Sequence, residues 1–556
     1  MPSPARPYLD RWARLDALRR TNWDTDFIDM AAYMAPTRQL ALLGTIAGAK
    51  ITSLLFDSEG VTAPALLASS LHGNLSNPST KWFTFEMRQP ELNADNAVQD
   101  WLEDTARRVD RCLSASNFHN QMGEFYLDLP VFGTAALLEE FTPARHPQEA
   151  PTPLFTCLPI GTYGIAENAK GDVDTLYYRV QISARAALQQ FGEDVHKDVA
   201  KLALDKPDDL LWFVHAIFPR HERDRTPGAR NGKNKPFGSV WVDEHHEVIV
   251  REGGYEEFPG AVTRWRKQTG EVYGRGQGHL AIPDIKTLNK EVELLLLGMA
   301  LDIAPPTFEL ERAVVGDLAW EPLARNVVRF KDAVWTIPSG VKYDVAKLAF
   351  DRLETKIRKA FFVDQILALP PPDQPSYMTA FEVAKRVEQE FKTLGAAYGR
   401  IVKEGHVPII ERTARALGRA GALRPPPAAL LQTSGADMDI KFLGPMARAQ
   451  EAETLVGISQ KNIWLQGQLQ MHPNDPSVLD NFDEDAEALV VARGYGVPAT
   501  VTRGKDAVAA IRKARAEAQA QAAKEQQLHA LAESAGKAAP MVKALKGGAP
   551  EQGATP

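Results

Sequence analysis

Two segments of strong helical character, 283–303 and 345–367, flank about 40 residues that cannot be helical throughout, and this limits what the chain can fold into. Pro283 stands at the start of the first segment, Asp284 and Glu291 lie in its N-terminal half, and Pro305-Pro306 ends it. The second segment is amphipathic at about 100° per residue. Val345, Ala346, Ala349, Phe350, Leu353, Ile357, Ala360 and Phe361 fall on one broad face. Lys347, Asp351, Arg352, Glu354, Thr355, Arg358 and Lys359 fall opposite, with a net positive charge that an ordinary solvated face also explains. Thr307–Leu310, Asn326–Phe330 and Ala333–Ile337 read as short strands between them. A proline-locked stretch, Leu369–Pro375, follows the second segment. The pattern describes a helical hairpin with a small β cap, projecting as a stalk. Such a stalk needs neighbours to cover its sides, which implies a homo-oligomer.

The remainder of the 556 residues reads as an α+β chain, mainly α-helical, of two to four structural units. Helices are expected over 8–34, 64–74, 94–115 and 118–132. From about 133 to 260 the texture is mixed α/β. Strands are expected over 176–182, 212–218, 239–242 and 247–250, and helices near 183–191 and 194–204. A long helix starts near Thr379 and continues towards Arg419, bent around Gly395, Gly399 or Pro408. Helical segments fill 446–495. The Ala/Gln/Glu/Lys-rich stretch 505–531 strongly favours helix, and 532–556 reads as a flexible tail.

Composition narrows the function classes. The net charge of −7 argues against a freely binding nucleic-acid protein, which ordinarily shows a basic excess. Cys112 and Cys157 are too few for a disulfide scaffold and fit a reducing compartment. The N-terminus lacks a signal-peptide core. Ala41–Ile46, Ala63–Leu71 and Leu294–Ile303 are the most apolar stretches, and each is shorter than the roughly 18–20 residues that span a bilayer. The third is bracketed by Glu293 and Asp302 and is expected to be a buried helix. The chain is expected to be cytosolic when made.

Motifs for chemistry are weak. Tyr273–Gly278 has G-x-G-x-G spacing and Ile282-Pro283 before the helix, so it reads as a flexible connector and not a dinucleotide loop. There is no Walker motif, no G-x-S-x-G elbow and no paired histidines of zinc-ligand spacing. His245-His246 reads as a solvated turn. Asp480, Asp483, Glu484 and Asp485 read as a solvated helix start and not a calcium loop. No catalytic residue, cofactor or metal is expected.

An ordered set of segments resembles the portal, or head-to-tail connector, proteins of short-tailed bacteriophages. Leu15, Arg19, Trp23, Tyr33 and Pro36 look like that family's opening helix. Asp57-Ser58, Leu66–Leu71, Pro78 and Trp82-Phe83 look like its next block. Trp101-Leu102, Ser116–Phe118, Tyr126, Asp128 and Phe132–Thr134 continue it. Tyr273–Gly276, Asp284-Ile285 and Leu288-Asn289 match the lead-in to the first stem helix. Met378–Val383, Glu390, Leu394-Gly395, Glu404 and Pro408 match the helix beyond the tunnel loop. The resemblance covers about 8–430 and is weakest over 140–260.

The resemblance implies a dodecameric ring at one capsid vertex, with double-stranded DNA passing along its axis during packaging and ejection. By order along the chain, 1–280 would be wing, 283–303 and 345–367 stem helices, and 304–344 clip. The tunnel loop would be 368–378, the long wing helix 379–430 and the crown 431–531, with a possible helical barrel at 505–531. Lys347, Arg352, Lys356, Arg358 and Lys359 are candidate channel cations, unless they pair with acids on a neighbouring stem. Pro370, Pro371, Pro372, Asp373 and Gln374 are the candidate constriction. Trp335 is a candidate clip contact. The implied partners are the terminase large subunit, head-tail adaptor and tail proteins, and the major capsid and scaffolding proteins. No membrane partner is implied. The implied location is the portal vertex of the virion, with assembly in the host cytoplasm. Two other readings stay open: a scaffolding or adaptor protein assembled through 505–531, and a nucleotide-dependent enzyme using the 274–278 glycines.

Overall fold

The computed structural model describes residues 3–44, 48–142, 151–221, 232–303, 307–309, 314–315, 327–330, 334–336, 343–366, 395, 397–432, 437–443, 445–471, 480–494 and 505–546. Two units are distinguished. The first comprises Met1–Phe85, Asp104–Pro425 and Ile440–Ala452, and the second Glu86–Glu103, Pro426–Asp439 and Glu453–Pro556.

The first unit opens with α1 (Arg6–Asn22) and α2 (Asp24–Tyr33). The sequence reads these as one helix over 8–34, but the chain breaks at Trp23. Buried Arg19 holds the break. Its Nε donates to Asp24 Oδ1 at 2.9 Å and its Nη1 to the Tyr163 carbonyl at 3.0 Å. Both bonds require the chain to turn after the first helix, and Trp23 then stacks on Phe27. Next come α3 (Gln39–Leu43), α4 (Glu59–Leu75), β1 (Phe83–Met87), α5 (Asn96–Ser114) and α6 (Phe118–Phe132). The last of these matches its expected bounds, because Gly133 supplies the left-handed residue (φ 79°) that ends a helix.

The mixed α/β region forms two antiparallel sheets. Its elements in order are β2 (Thr134–Thr142), β3 (Thr152–Leu158), β4 (Tyr163–Glu167), β5 (Val173–Ser183), α7 (Ala184–Phe191), α8 (Lys197–Asp205), β6 (Leu210–Pro219), β7 (Phe237–Asp243), β8 (Val248–Tyr255) and β9 (Gly260–Arg264). One sheet has strand order β3-β2-β9, and the other is the meander β4-β5-β6-β7-β8. Tyr177, Ala216 and Val240 share one register row of the meander. Together with Val214 and Val242 they pack under Ala5 and Trp12 at the start of the chain. On the other face Phe191 of α7 covers Phe213 and Trp241. His215 is held there between the Tyr178 hydroxyl (3.1 Å) and Ser239 Oγ (2.8 Å), and burial lowers its pKa to about 3.

The stalk region consists of α9 (Gly278–Ile303), the paired strands β10 (Thr307–Glu309) with β13 (Val334–Thr336) and β11 (Val314–Val315) with β12 (Val327–Val328), then α10 (Tyr343–Ala360) and α11 (Val363–Ile366). The expected long helix after Thr379 falls outside the described residues as far as Leu394. Its later part contains a π-helical stretch, Ile401–His406, followed by α12 (Val407–Arg419). Pro408 explains the wider turn: a proline ring in a regular α-helix clashes with the carbonyl four residues back.

The second unit contains α13 (Ala428–Gln432), most of α14 (Pro445–Met471), α15 (Glu484–Gly494) and α16 (Lys505–Lys546). The paired strands β1 and β14 (Met438–Phe442) each carry residues of both units. Asp483 caps α15 by accepting from the backbone N–H groups of Asp485 and Ala486, so the acidic knot is a helix start. Of the expected flexible tail, 532–546 are helical, and 547–556 lie outside the described residues. α16 runs through to Lys546, its alanine-rich sequence carrying the helix past Gly536 and Pro540. Among the described residues, no helix is long and apolar enough to cross a membrane.

Candidate functional site

The stalk is rooted in a glycine clasp. The Gly274 N–H donates to Thr134 Oγ1 at 2.7 Å, and the Arg275 N–H to the Arg266 carbonyl at 2.8 Å. A Cβ on Gly276 would collide with the Pro130 carbonyl and the Gly133 nitrogen, and one on Gly278 with the Val131 carbonyl. The segment expected to be a flexible connector is therefore a tightly packed one, because backbone lies against backbone. The space beside these glycines is filled by the end of α6.

From this root α9 rises with Ile285, Leu288 and Asn289 buried. Asn289 Oδ1 accepts from the backbone N–H groups of Phe56 (2.7 Å) and Asp57 (3.2 Å), and its Nδ2 donates to the Leu54 carbonyl. Beyond Glu293 the surroundings change. Leu294, Leu296, Leu297, Met299, Leu301 and Ile303 are all exposed, Leu297 by 55% and Ile303 by 82%. The expectation of a buried helix fails here, because among the described residues nothing covers this flank.

α10 runs antiparallel to α9. The Tyr343 hydroxyl donates to Asp302 near the far end, and Lys356 Nζ lies 3.4 Å from Asp284 Oδ1 near the root. Its apolar face behaves as the periodicity predicts: Ile357 is fully buried, with Leu353 and Phe350 half-buried. Phe361 and Val363 are buried beyond it, and the left-handed Phe362 (φ 58°) separates α10 from α11. The Arg358 guanidinium reaches Glu59 at the start of α4, 2.9 Å away. Burial, with Asp57 and Glu59 close by, raises the Glu354 pKa.

All five candidate channel cations are exposed. Lys356 pairs with Asp284 and Arg358 with Glu59. Lys347, Arg352 and Lys359 make no ion pair among the described residues. Helical spacing separates the five into two stripes roughly 140° apart, Arg352/Lys356/Lys359 and Lys347/Arg358. Trp335 lies opposite Phe308 in the β10–β13 register. The candidate constriction, Pro370–Gln374, lies outside the described residues.

Sequence reasoning named Glu404 and Tyr126 as positions resembling the family but not the buried charged core they belong to. Glu404, in the π-helical stretch, accepts from Arg264 Nε and Nη2, and Arg264 also pairs with Glu167. His406 Nε2 lies 2.7 Å from the Tyr126 hydroxyl, which meets Ser76 Oγ at 2.9 Å. Burial lowers the His406 pKa to about 4. Glu139, buried beside Arg412 and accepting from Thr413 Oγ1, is pushed up to about 7 by burial. These groups pair inside the unit, with the Nδ1 of His406 buried and without a hydrogen-bond partner among the described residues.

The match to known proteins is broad. The chain is 27% identical over 539 residues to the probable portal protein of Bordetella phage BPP-1, covering 92% of this chain and 91% of that one. It is 27% identical over 519 residues to the portal protein of Salmonella phage epsilon15, covering 91% and 90%. Among solved structures, a chain from the virion of a native gene transfer agent particle aligns with a TM-score of 0.32 at 12% identity, covering 80% of this chain and 97% of that one. A chain from the neck of the same kind of particle aligns with a TM-score of 0.31, covering 72% and 86%. Residues 5–502 match the family model of the bacteriophage head to tail connecting protein, and the chain belongs to that family.

Proposed function

We propose that this chain is the portal subunit of a tailed-phage virion, twelve copies forming a ring at one capsid vertex through which DNA is packaged and ejected. The family match over residues 5–502, joined by two relatives named as portal proteins over about nine-tenths of the chain, carries this reading. The uncovered apolar flank of α9 supports assembly, since a helix this apolar needs neighbours.

On this reading 1–280 is wing, 283–303 and 345–367 are stem, 304–344 is clip, 368–378 is the tunnel loop, 379–430 is the long wing helix and 431–531 is crown. The clip, with Trp335, meets the terminase motor during packaging and the head-tail adaptor afterwards. The wing faces capsid and scaffolding proteins.

The transport role requires confinement without tight holding. Each phosphate that a cation neutralises adds salt-sensitive affinity, and strong binding stalls a moving duplex. A chain of net charge −7 with a few cations on its stem suits that requirement. Lys347, Arg352 and Lys359 would offer shallow rings of positive charge. Lys356 and Arg358 would contribute less, because an acid partly neutralises each. Pro370–Gln374 would form the constriction.

Electron microscopy and native mass measurement of the purified full-length chain test the reading. A ring with a central hole and a mass of about 730 kDa, twelve copies of 61.2 kDa, is the expected result. A chain that stays monomeric under assembly conditions overturns it. Removing 505–556 should leave rings, whereas loss of assembly would favour an adaptor built on the alanine-rich helix. Deleting 370–374 should spare the ring and impair DNA retention.

A further inference from the structure

Two histidines far apart in the sequence meet beside the five-stranded sheet. His196 is the N-cap of α8, and His246 lies in the turn between β7 and β8. Their rings stack with centroids 4.1 Å apart. Asp198, in the first turn of α8, places Oδ2 3.5 Å from His196 Nδ1 and 3.9 Å from His246 Nε2. One donor atom from each of the three residues lies within 4.8 Å of the others.

The orientation of His246 is fixed from behind. Its Nδ1 lies 2.8 Å from Oδ2 of Asp243, whose side chain is 1% exposed. The other carboxylate oxygen of Asp243 accepts from the backbone N–H groups of His245 (3.0 Å) and His246 (3.2 Å). An ionised carboxylate only accepts hydrogen bonds, so Nδ1 carries the proton and Nε2 presents a lone pair on the side of Asp198. A carboxylate behind an imidazole whose far nitrogen is open is the arrangement that supports metal-ligating histidines.

We propose that His196, Asp198 and His246 form a binding site for a divalent transition-metal ion of the Zn²⁺ class, with water completing the coordination and Asp243 as a positioning residue. Two imidazoles and one carboxylate suit Zn²⁺, whereas Mg²⁺ and Ca²⁺ require shells of oxygen. Zinc bonds of about 2.0–2.2 Å place tetrahedral ligands roughly 3.5 Å apart, and each imidazole binds in its own ring plane, so the His196 ring must rotate out of its stack on His246 to ligate the ion. Asp198, 76% exposed, can move towards the fixed His246, and His196 follows by releasing the hydrogen bond that its Nδ1 accepts from the Asp198 backbone N–H at 3.4 Å. The bound ion would clip the start of α8 to the β7–β8 turn. This site is independent of the DNA-conduit reading.

The test uses the full-length chain, stripped with a chelator and titrated with Zn²⁺ in calorimetry, with Mg²⁺ as the comparison. The expected result is one Zn²⁺ per chain at this site and no matching Mg²⁺ event. His196→Asn keeps a helix-capping residue but loses the imidazole, and His246→Gln loses the second nitrogen ligand. Each should weaken Zn²⁺ binding at least tenfold, and Asp243→Asn by about tenfold to a hundredfold. X-ray absorption of the loaded protein should show two imidazole ligands in the wild type and one in either histidine variant. Circular dichroism confirms that the variants fold. Unchanged stoichiometry and affinity in the folded double variant H196N/H246Q, or absence of Zn²⁺ uptake by the wild type, overturns the proposal.

Discussion

Glu404 clasps Arg264 with both carboxylate oxygens, Oε2 accepting from Nε at 3.1 Å and Oε1 from Nη2 at 2.9 Å. Oε2 also accepts from the Arg264 backbone N–H at 3.0 Å. The π-helical stretch thereby locks onto the last residue of β9. Removing one partner leaves a buried guanidinium short of counter-charge, and such losses cost about 3–5 kcal/mol. Glu167 still faces Arg264, so Glu404→Ala is expected at the low end, about 3 kcal/mol. Urea unfolding of the variant checks this, and a loss below about 1 kcal/mol would show that Glu167 alone suffices.

Gly276→Ala tests the clasp beneath the stalk. Its Cβ would press on the Pro130 carbonyl and the Gly133 nitrogen, both main-chain atoms that cannot swing aside. The expected loss is about 3 kcal/mol or more, the upper end of overpacking costs. Gly399→Ala is the control. It is helical and has nothing within 4 Å of its added Cβ, so a gain of about 0.5–1 kcal/mol is expected there. Equal melting temperatures for the two variants would contradict the clasp.

These contacts mark where the sequence was legible. α6 matched its expected bounds because Gly133 ends it; α10 was legible as a helix because its apolar positions recur at helical spacing, but it ends at Ala360, short of the expected 367, where left-handed Phe362 breaks the chain. β5, β6 and β7 were visible as aromatic and β-branched runs between turn residues. β2 was not, because most of its residues are buried on both faces and alternation disappears. The break at Trp23 depends on Arg19 reaching the Tyr163 carbonyl, a contact no local pattern encodes. The five stem cations were identifiable as a class, but their partners Asp284 and Glu59 lie on other helices. His196 and His246 likewise carry no shared spacing. Their meeting is set by how α8 packs beside the β7–β8 turn.

Acid should weaken the fold through His406. Burial holds its folded pKa near 4, below the ordinary value of 6.5. Between those values the unfolded chain takes up a proton that the folded chain refuses, so stability falls as pH drops from 6.5 towards 4. One such group contributes at most about 3 kcal/mol. Glu139 and Asp128 act with the opposite sign. Burial raises them to about 7 and about 6, so the folded state binds protons first and gains stability as pH falls. The bare pH profile is therefore a competition, and His406→Gln isolates one contributor. Relative to the wild type, its denaturation midpoint should rise progressively as pH falls from 6.5 to 4, whatever the slope of either profile alone. Parallel profiles would remove His406 from the account.

Leu297→Asp probes the apolar flank of α9. The side chain is 55% exposed in the single chain, so the substitution should change the melting temperature of the dissociated chain little. A carboxylate carried into a packed apolar contact has no partner, and ring formation should fail. Sedimentation of wild type and variant reads this directly. Intact rings would place the subunit contact elsewhere on the stem.

The stem cations separate assembly from transport. Lys347, Arg352 and Lys359 make no ion pair among the described residues, so replacing all three with Glu should leave the chain folded and ring-forming. If the proposed channel reading holds, the same variant should package or retain less DNA, because repulsion would replace a weak attraction to the passing duplex. Arg358→Glu should behave differently. It breaks the pair with Glu59 and sets a new acid beside Glu59, Glu354 and Asp364, where burial already raises the Glu354 pKa. A partly exposed pair of this kind is worth at most about 1 kcal/mol, and like-charge repulsion adds a similar amount. Arg358→Glu should therefore lower the melting temperature, whereas the triple variant should not. Packaging assays beside melting curves distinguish the two. Normal DNA retention by the triple variant would remove these cations from the channel.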